Sequence, residues 1–546
     1  MRPYGDATAF KLPTTLVNFA PPRWRWPDLP DSMTDAILAP ELPAAPDAAQ
    51  ALMTAAYSRD ETQAMHELLG AAALPATERD LVLARATELV ARVRAKASQQ
   101  SAVESFMREY DLSSEEGVLL MCVAEALLRI PDKTTADKLI SDKLGEANWE
   151  SHLGRSDSVL VNAGTWGLML TGKLVTLADE TQRNVAGAFK RLIGRAGEPV
   201  IRLAVRQAMR IMGHQFVMGR TIGEAVERSG EKENRPYRYS YDMLGEAALT
   251  QPDAERYHKA YKDAIAALGK KWGQSQLPRN GARRKTSVDG VIDSDPIFSF
   301  DAPSISIKLS ALHPRYEVAK RARVHAELTP KLLELAQLAK KNAIGLTVDA
   351  EEADRLELSL EIIAAVHADP SLAGWDGYGL AVQAYQKRAP FVIDWLAEAA
   401  RRVGRRFCVR LVKGAYWDSE IKRAQEGGHA GYPVYTRKPN TDVSYLACAR
   451  RLFDHGAVFY PAFATHNAHT IAAIQHMANG RPFEFQRLHG MGADLYSEVI
   501  GKDSVFASNK SVRDLSKRAE SGAGPDSATL HQSLTRLMRG EPDTVS

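Results

Sequence analysis

The sequence is sparing with cysteine. Cys122, Cys408 and Cys448 are the three in 546 residues, an odd set with no CxxC pair and no histidine at finger spacing, which argues against a disulfide framework or a zinc finger. Each sits inside an apolar pattern and reads as a buried thiol of a reducing compartment. Long apolar runs are also missing. The most hydrophobic stretch, SVLVNAGTWGLMLTG, is too short and interrupted to cross a bilayer, and MRPYGDATAFKLPTTLVNF at the N-terminus has no signal-peptide core. A cytoplasmic protein is expected, with peripheral attachment at the inner membrane left open. The net charge is only +3 and no Lys/Arg block forms a stripe, so no nucleic-acid partner is expected. There is no Walker lysine loop, HExxH helix, GxSxG elbow or dinucleotide GxGxxG, so phosphoryl transfer, zinc hydrolysis and serine hydrolysis lack their signatures.

What is present falls into blocks. Nine of the 27 prolines lie before residue 47, and proline fixes φ and removes an amide donor, so residues 1–50 read as a poorly ordered arm. Residues 51–228 read as a helical domain, with apolar residues every three or four positions and clear helix signals. Ser113 with Glu116 forms a capping box, while Pro199 and Gly213 bracket another helix. From 229 to 500 the pattern changes to short apolar segments, each followed by an amphipathic stretch: YRYSYDMLGE, SISIKLSAL, IGLTVDAEE, YGLAVQAYQ, FCVRLVKGAY, VFYPAFATHN and PFEFQRLHG. Strands alternating with helices imply a parallel sheet, and seven in succession favour a (βα)8 barrel of TIM type over an open sheet. Residues 269–303, polar and rich in Gly, Pro and basic side chains, read as an exposed insertion between the first two strands.

Every one of these strands ends in polar residues: Asp242 and Glu246, Lys308, Asp349 and Glu351, Gln383, Arg410 and Lys413, His466 and Asn467, Gln486 and His489. In a closed parallel barrel the carboxyl ends of the strands meet at one mouth, so the seven tips predict one pocket. His466 and His469, three apart on a strand, would face opposite ways and make a poor metal pair. Lys308 and Lys413 suit a Schiff-base aldolase. A flavin fits better, because cations near its pyrimidine edge stabilise the negative charge gained on reduction.

The segments SIKLSALHPRY, DAEEADRLE, VQAYQKRAPFVID, RLVKGAYWDSEIKRAQ, GYPVYTRK, TDVSYLACA, FATHNAHT and EFQRLHGMG resemble the proline dehydrogenase barrel of bacterial proline utilization A, and GVLLMCVAEALLRIPDK and GRSDSVLVNAGTWGL resemble its helical domain. The resemblance runs from about residue 55 to residue 500. It implies an α/β fold, a distorted (βα)8 barrel preceded by an all-helical domain, that binds FAD, oxidises L-proline to Δ1-pyrroline-5-carboxylate and passes electrons to a membrane quinone. It implies FAD contacts at Gln383, Arg410, Val412, Lys413, Gly414, Ala415, Trp417, Thr436, Thr465, His466 and Asn467. For the substrate it implies Lys308 as the cation for the proline carboxylate, Asp349 as its charge partner, and Tyr416 and Leu488 as walls against the ring, with Arg410 beside the flavin N5 edge. The chemistry implied is hydride transfer from a ring carbon held within about 3 to 3.5 Å of its acceptor.

Three departures from the family pattern set further expectations. Residues 1–50 do not resemble its ribbon-helix-helix module, and no aldehyde dehydrogenase domain follows, so a second oxidation is expected elsewhere. After LHGMGADLYSEVIG the pattern calls for an eighth strand with a tyrosine and a helix with two adjacent arginines, and residues 501–546 contain neither. DSATLHQSLTRLMRG reads instead as a helix capped by Asp526 with Leu530, Leu534, Leu537 and Met538 on one face. The barrel is therefore expected to be incomplete at its eighth strand and proline turnover to be impaired. A catalytically silent flavin-binding or partner-binding barrel is the alternative.

Overall fold

The computed structural model describes residues 47–96, 217–232, 234–276, 302–500 and 531–535. The arm, the helices read around Ser113 and Pro199, and Cys122 lie outside them.

Eight parallel strands close a barrel in chain order: β1 (Arg238–Asp242), β2 (Ser304–Ile307), β3 (Gly345–Val348), β4 (Tyr378–Gln383), β5 (Phe407–Val412), β6 (Phe459–Ala464), β7 (Glu484–Leu488) and β8 (His531–Thr535). The first seven are those expected from the apolar runs. The eighth corrects the reading of residues 526–540 as a helix, and with it the expectation of an incomplete barrel: Glu484 pairs with His531 and Leu488 with Thr535 on one side, Arg238 with Ser533 on the other. An open edge between β7 and β1 would leave two rows of backbone groups unpaired, and strand pairing satisfies them where a helix would not.

The register sorts each strand into two faces. Ile305, Leu346, Leu380, Val409, Phe463 and Phe485 point outward into the main core, where they meet Leu328, Leu332, Ile363, Leu396, Leu452 and Ile474 from the surrounding helices. These helices are α5 (Gln251–Gln276) after β1, α6 (Arg321–Lys341) after β2, α7 (Leu356–Ala368) after β3 and α8 (Ala389–Val403) after β4. They continue with α9 (Trp417–Glu426) and α10 (Lys438–Asp454) after β5, α11 (Ala468–Ala478) after β6 and α12 (Ala493–Val499) after β7. Because α5 runs to Gln276, residues 269–276 belong to a helix and not to the polar insertion expected to start there. The local rules are visible in α8, which carries Pro390 in its first turn and stops at Gly404 in the left-handed conformation. They are also visible in α11, where Asn467 accepts the Thr470 amide at 2.9 Å.

Helices α1 (Ala48–Ala55), α2 (Glu61–Ala72) and α3 (Ala76–Lys96) pack on the outer shell. Met53 and Leu89 join the main core, Met65 and Leu68 of α2 bury against Tyr435 and Ala447, and Arg92 bridges the buried Glu498 at 2.6 Å. A short α4 (Ile222–Ser229) precedes β1. No helix among the described residues is long and apolar enough to cross a membrane.

Candidate active site

The other face of the strands lines the lumen, and it is polar. Ser240, Ser306, Arg410 and Gln486 fall on that face by register. Arg410 reaches across it: Nε donates to Gln486 Oε1 at 2.6 Å, Nη1 to Asp349 Oδ1 at 2.9 Å and to Ser306 Oγ at 3.0 Å, and Nη2 to Ser240 Oγ at 3.0 Å. One buried guanidinium thus ties β1, β2, β5, β7 and the end of β3, as its planar fork of five donors allows. Below it Arg238 pairs with Glu484, which accepts from Gln486. Above it Asp349 Oδ2 lies 3.8 Å from Lys308 Nζ, and Lys308 also contacts Glu246 and lies 3.6 Å from Asp242 Oδ1. Opposite charges therefore alternate along the barrel axis, each compensating the desolvation of the next.

Lys308 is surrounded by three carboxylates. Burial, reinforced by Asp242 and opposed by Lys308, pushes the Glu246 carboxyl up to about 7. The buried Tyr261 hydroxyl accepts the Lys308 amide at 3.2 Å.

Over this floor opens a hollow whose lining includes Asp349, Gln383, Arg410, Val412, Ala415, Tyr416, Thr465, His466 and Leu488 from the sequence-predicted set. Ala350, Ala381, Ala464, Gln486 and Arg487 complete it. Gln383 accepts from Gln386 at 2.6 Å, and the His466 ring accepts the Leu488 amide at 3.1 Å. His466 follows β6 and His469 starts α11, so the two are not on one strand as the sequence reading supposed. Among the described residues no cluster of His, Cys, Asp or Glu is placed to hold a metal ion.

The remaining predicted residues do not line the hollow. Lys413, one residue past Val412, turns to the other face and pairs with Asp442 of α10 at 3.0 Å. Gly414 has φ of +139°, and a Cβ there would stand 2.5 Å from the Tyr385 ring. Trp417, 42% exposed, donates Nε1–H to the Tyr435 carbonyl at 2.9 Å. Asn467 caps α11, and Thr436 is bonded to Glu61 of α2. The sequence reading missed Ser240, Ser306, Arg238 and Glu484. Alternation from Asp242 and Lys308 back along their strands is the signal that would have found the two serines. Cys408 and Cys448 are free thiols, both pushed up to about 12 by burial.

Residues 225–513 match the family model described as proline dehydrogenase. Residues 48–94 match that of the proline utilization A proline dehydrogenase N-terminal domain. Residues 102–216 match one described as the DNA-binding domain of proline dehydrogenase, a segment outside the described residues. The chain is 52% identical over 471 residues to bifunctional protein PutA of Klebsiella aerogenes, covering 85% of this chain and 34% of that protein. Hydroxyproline dehydrogenase of Mus musculus is 31% identical over 242 residues, 38% of this chain and 51% of that protein. A crystal structure of a Bradyrhizobium japonicum proline utilization A mutant is similar with a TM-score of 0.59 at 45% identity, covering 88% of this chain and 43% of that one. The chain spans about a third of the length of the PutA relatives it matches.

Proposed function

Because the chain belongs to the proline dehydrogenase family, we propose that its barrel oxidises L-proline to Δ1-pyrroline-5-carboxylate, with FAD as cofactor and a quinone at a membrane surface as electron acceptor. Residues 229–500 would be the catalytic barrel, 51–228 a helical domain and 1–50 an arm.

The observation that carries the reading is the hollow above Arg410. Its apolar walls, Val412, Ala415 and Leu488, stand over a fixed guanidinium, with the buried Gln383, Thr465 and His466 also in its lining. A flat, electron-rich ring with polar edges suits that lining, and the alanines leave room where larger side chains would fill the space. Bound there, FAD would supply the acceptor for the hydride leaving the proline ring. Arg410 would hold positive charge at the floor, already oriented by its four acceptors, so no reorganisation is needed as charge develops. Gln383, Arg410, Val412, Ala415, Thr465 and His466 would contact the ring system. Lys413, Gly414, Trp417, Thr436 and Asn467, which lie beyond the hollow, would serve the rest of the cofactor.

Lys308 would take the proline carboxylate, with Asp349 fixing its position and Tyr416 and Leu488 confining the ring. Residues 501–546 contain no adjacent arginine pair, and Lys308 already answers three carboxylates. Each charge-assisted bond to the substrate carboxylate is worth roughly 1.5 to 3 kcal/mol, so weak proline binding and slow turnover form part of the proposal. The crowding around Lys308 also favours a second reading, a flavin-binding barrel without turnover. An absorbance spectrum taken before and after anaerobic addition of proline separates these. Flavin bands bleached by proline are expected, unbleached bands select the silent barrel, and a colourless protein that takes up no FAD overturns both. Near-normal catalytic efficiency with a dye acceptor would refute the impairment.

A further inference from the structure

Glu61, the first residue of α2, crosses from the N-terminal helices to the barrel's loops. Its Oε2 accepts the Thr436 amide at 3.0 Å and the Thr436 hydroxyl at 2.9 Å, and its Oε1 accepts the Asn440 side-chain amide at 2.6 Å. Burial alone would raise the Glu61 carboxyl. The bonds from Thr436 and Asn440, with the charge of Lys387, hold it below its usual value. The contact is part of a longer brace. Lys387 Nζ donates to the Arg59 carbonyl at 3.0 Å, the Arg388 guanidinium lies 4.7 Å over the Tyr57 ring, and a Cβ on Gly431 would stand 2.9 Å from the Ser58 carbonyl. Residues 57–61 therefore clamp two barrel loops, the one leaving β4 after Gln383 and the one entering α10.

The clamp has a chemical consequence for Thr436. A threonine has two hydrogen-bond donors, its amide and its hydroxyl, and Glu61 takes both. Thr436 is left with hydroxyl lone pairs only, able to accept but not to donate. It lies beyond the hollow that suits the flavin ring, beside Trp417, whose indole is fastened to the Tyr435 carbonyl. A phosphate offers only acceptors to such a group, whereas a ribose hydroxyl or an adenine amino group donates.

We infer that Glu61 is a positioning residue for the nucleoside half of the cofactor: by taking both Thr436 donors and holding Asn440, it sets Thr436 as an acceptor for a sugar hydroxyl or base amino group. The inference rests on the FAD reading above. It places part of the cofactor site under the control of a helix outside the barrel, more than 370 residues away in sequence.

The test compares FAD with FMN, which lacks the adenosine, by flavin-fluorescence titration of the full chain with and without E61A. One hydrogen bond lost or misaligned corresponds to about a tenfold change in affinity. The expected result is FAD binding weakened about tenfold in E61A with FMN binding changed by less than about twofold, and partial recovery in E61D, which keeps the carboxylate. Amide exchange of Thr436 in flavin-free protein should accelerate in E61A. Equal losses for FAD and FMN, no loss for either, or unchanged Thr436 exchange would overturn the inference while leaving the FAD reading intact. A wild-type chain that takes up neither flavin overturns the reading itself. Should E61A fail to fold, E61L serves, since its side chain fills a similar volume and offers Thr436 no acceptor.

Discussion

Arg410 and Asp349 meet inside the barrel, Nη1 to Oδ1 at 2.9 Å, both almost wholly buried. The guanidinium gives its remaining bonds to Ser240, Ser306 and Gln486, so it is a tie across the lumen as well as the floor of the hollow. Removing one partner of a buried charge pair leaves the other uncompensated, at a cost of about 3 to 5 kcal/mol. Arg410→Met is therefore expected to lower unfolding stability by that amount in urea, and Arg410→Lys to recover only part of it, because an ammonium cannot reach four acceptors at once. A loss below about 1 kcal/mol for the methionine variant would show that the lumen network does not hold the barrel.

Gly414 and Gly404 offer a controlled contrast. Both have positive φ, +139° and +69°, but a Cβ on Gly414 would stand 2.5 Å from the Tyr385 ring, whereas nothing lies within 4 Å of one on Gly404. Gly404→Ala carries only conformational strain, about 1 kcal/mol. Gly414→Ala adds a collision with the ring of a buried tyrosine on the loop that leaves β4. Its melting temperature should fall by several degrees more than that of Gly404→Ala, and its flavin uptake should be lost while that of Gly404→Ala is kept. Equal melting shifts would remove the role assigned to Tyr385.

These two sites also mark what the sequence discloses. Seven strands are legible because each is an apolar run with a polar tip, and the tips of five of them line one hollow. The eighth is not legible, because residues 526–540 carry a helical spacing and only the unpaired edges of β7 and β1 favour a strand there. Arg410 and Lys413 are read together in the sequence but lie on opposite faces, because an odd spacing along and past a strand reverses the side, so only Arg410 lines the hollow. The donors taken by Glu61 could not have been found by pattern at all, since the two segments are joined only by tertiary packing.

His367 should set the acid limit of stability. It is 1% exposed and stacks on Phe407 with ring centres 3.7 Å apart, and burial, helped by Arg405, depresses its pKa to about 3. The unfolded chain takes up a proton on this residue near pH 6.5, while the folded chain does not until about 3. Unfolding thus gains a proton throughout that window, and stability falls as pH drops below 6.5. Urea unfolding at pH 7, 6 and 5 should show a decline that becomes shallower in His367→Gln by up to about 1.4 kcal/mol per pH unit. Identical slopes in the two proteins would mean that the ring becomes charged within the fold.

Glu246 titrates in the opposite sense and bears on substrate binding. Its folded pKa of about 7 stands above the ordinary carboxylate value, so the folded chain holds a proton that the unfolded chain has released, and this contribution to stability is lost as pH rises from about 4.5 through 7. The same proton matters to an incoming carboxylate. With Glu246 ionised, Lys308 faces three negative neighbours, and a fourth is repelled; with Glu246 protonated, the ammonium is freer to accept it. The oxygen analogue of proline, a five-membered ring carboxylate with no amine to titrate, isolates this effect. Its affinity for the FAD-loaded chain should weaken about tenfold for each pH unit above 7 and stay level in Glu246→Gln. A wild-type affinity that is flat from pH 6 to 8.5 would mean that the carboxylate reaches Lys308 without that proton, and the substrate position would then have to lie away from the Lys308–Glu246 contact.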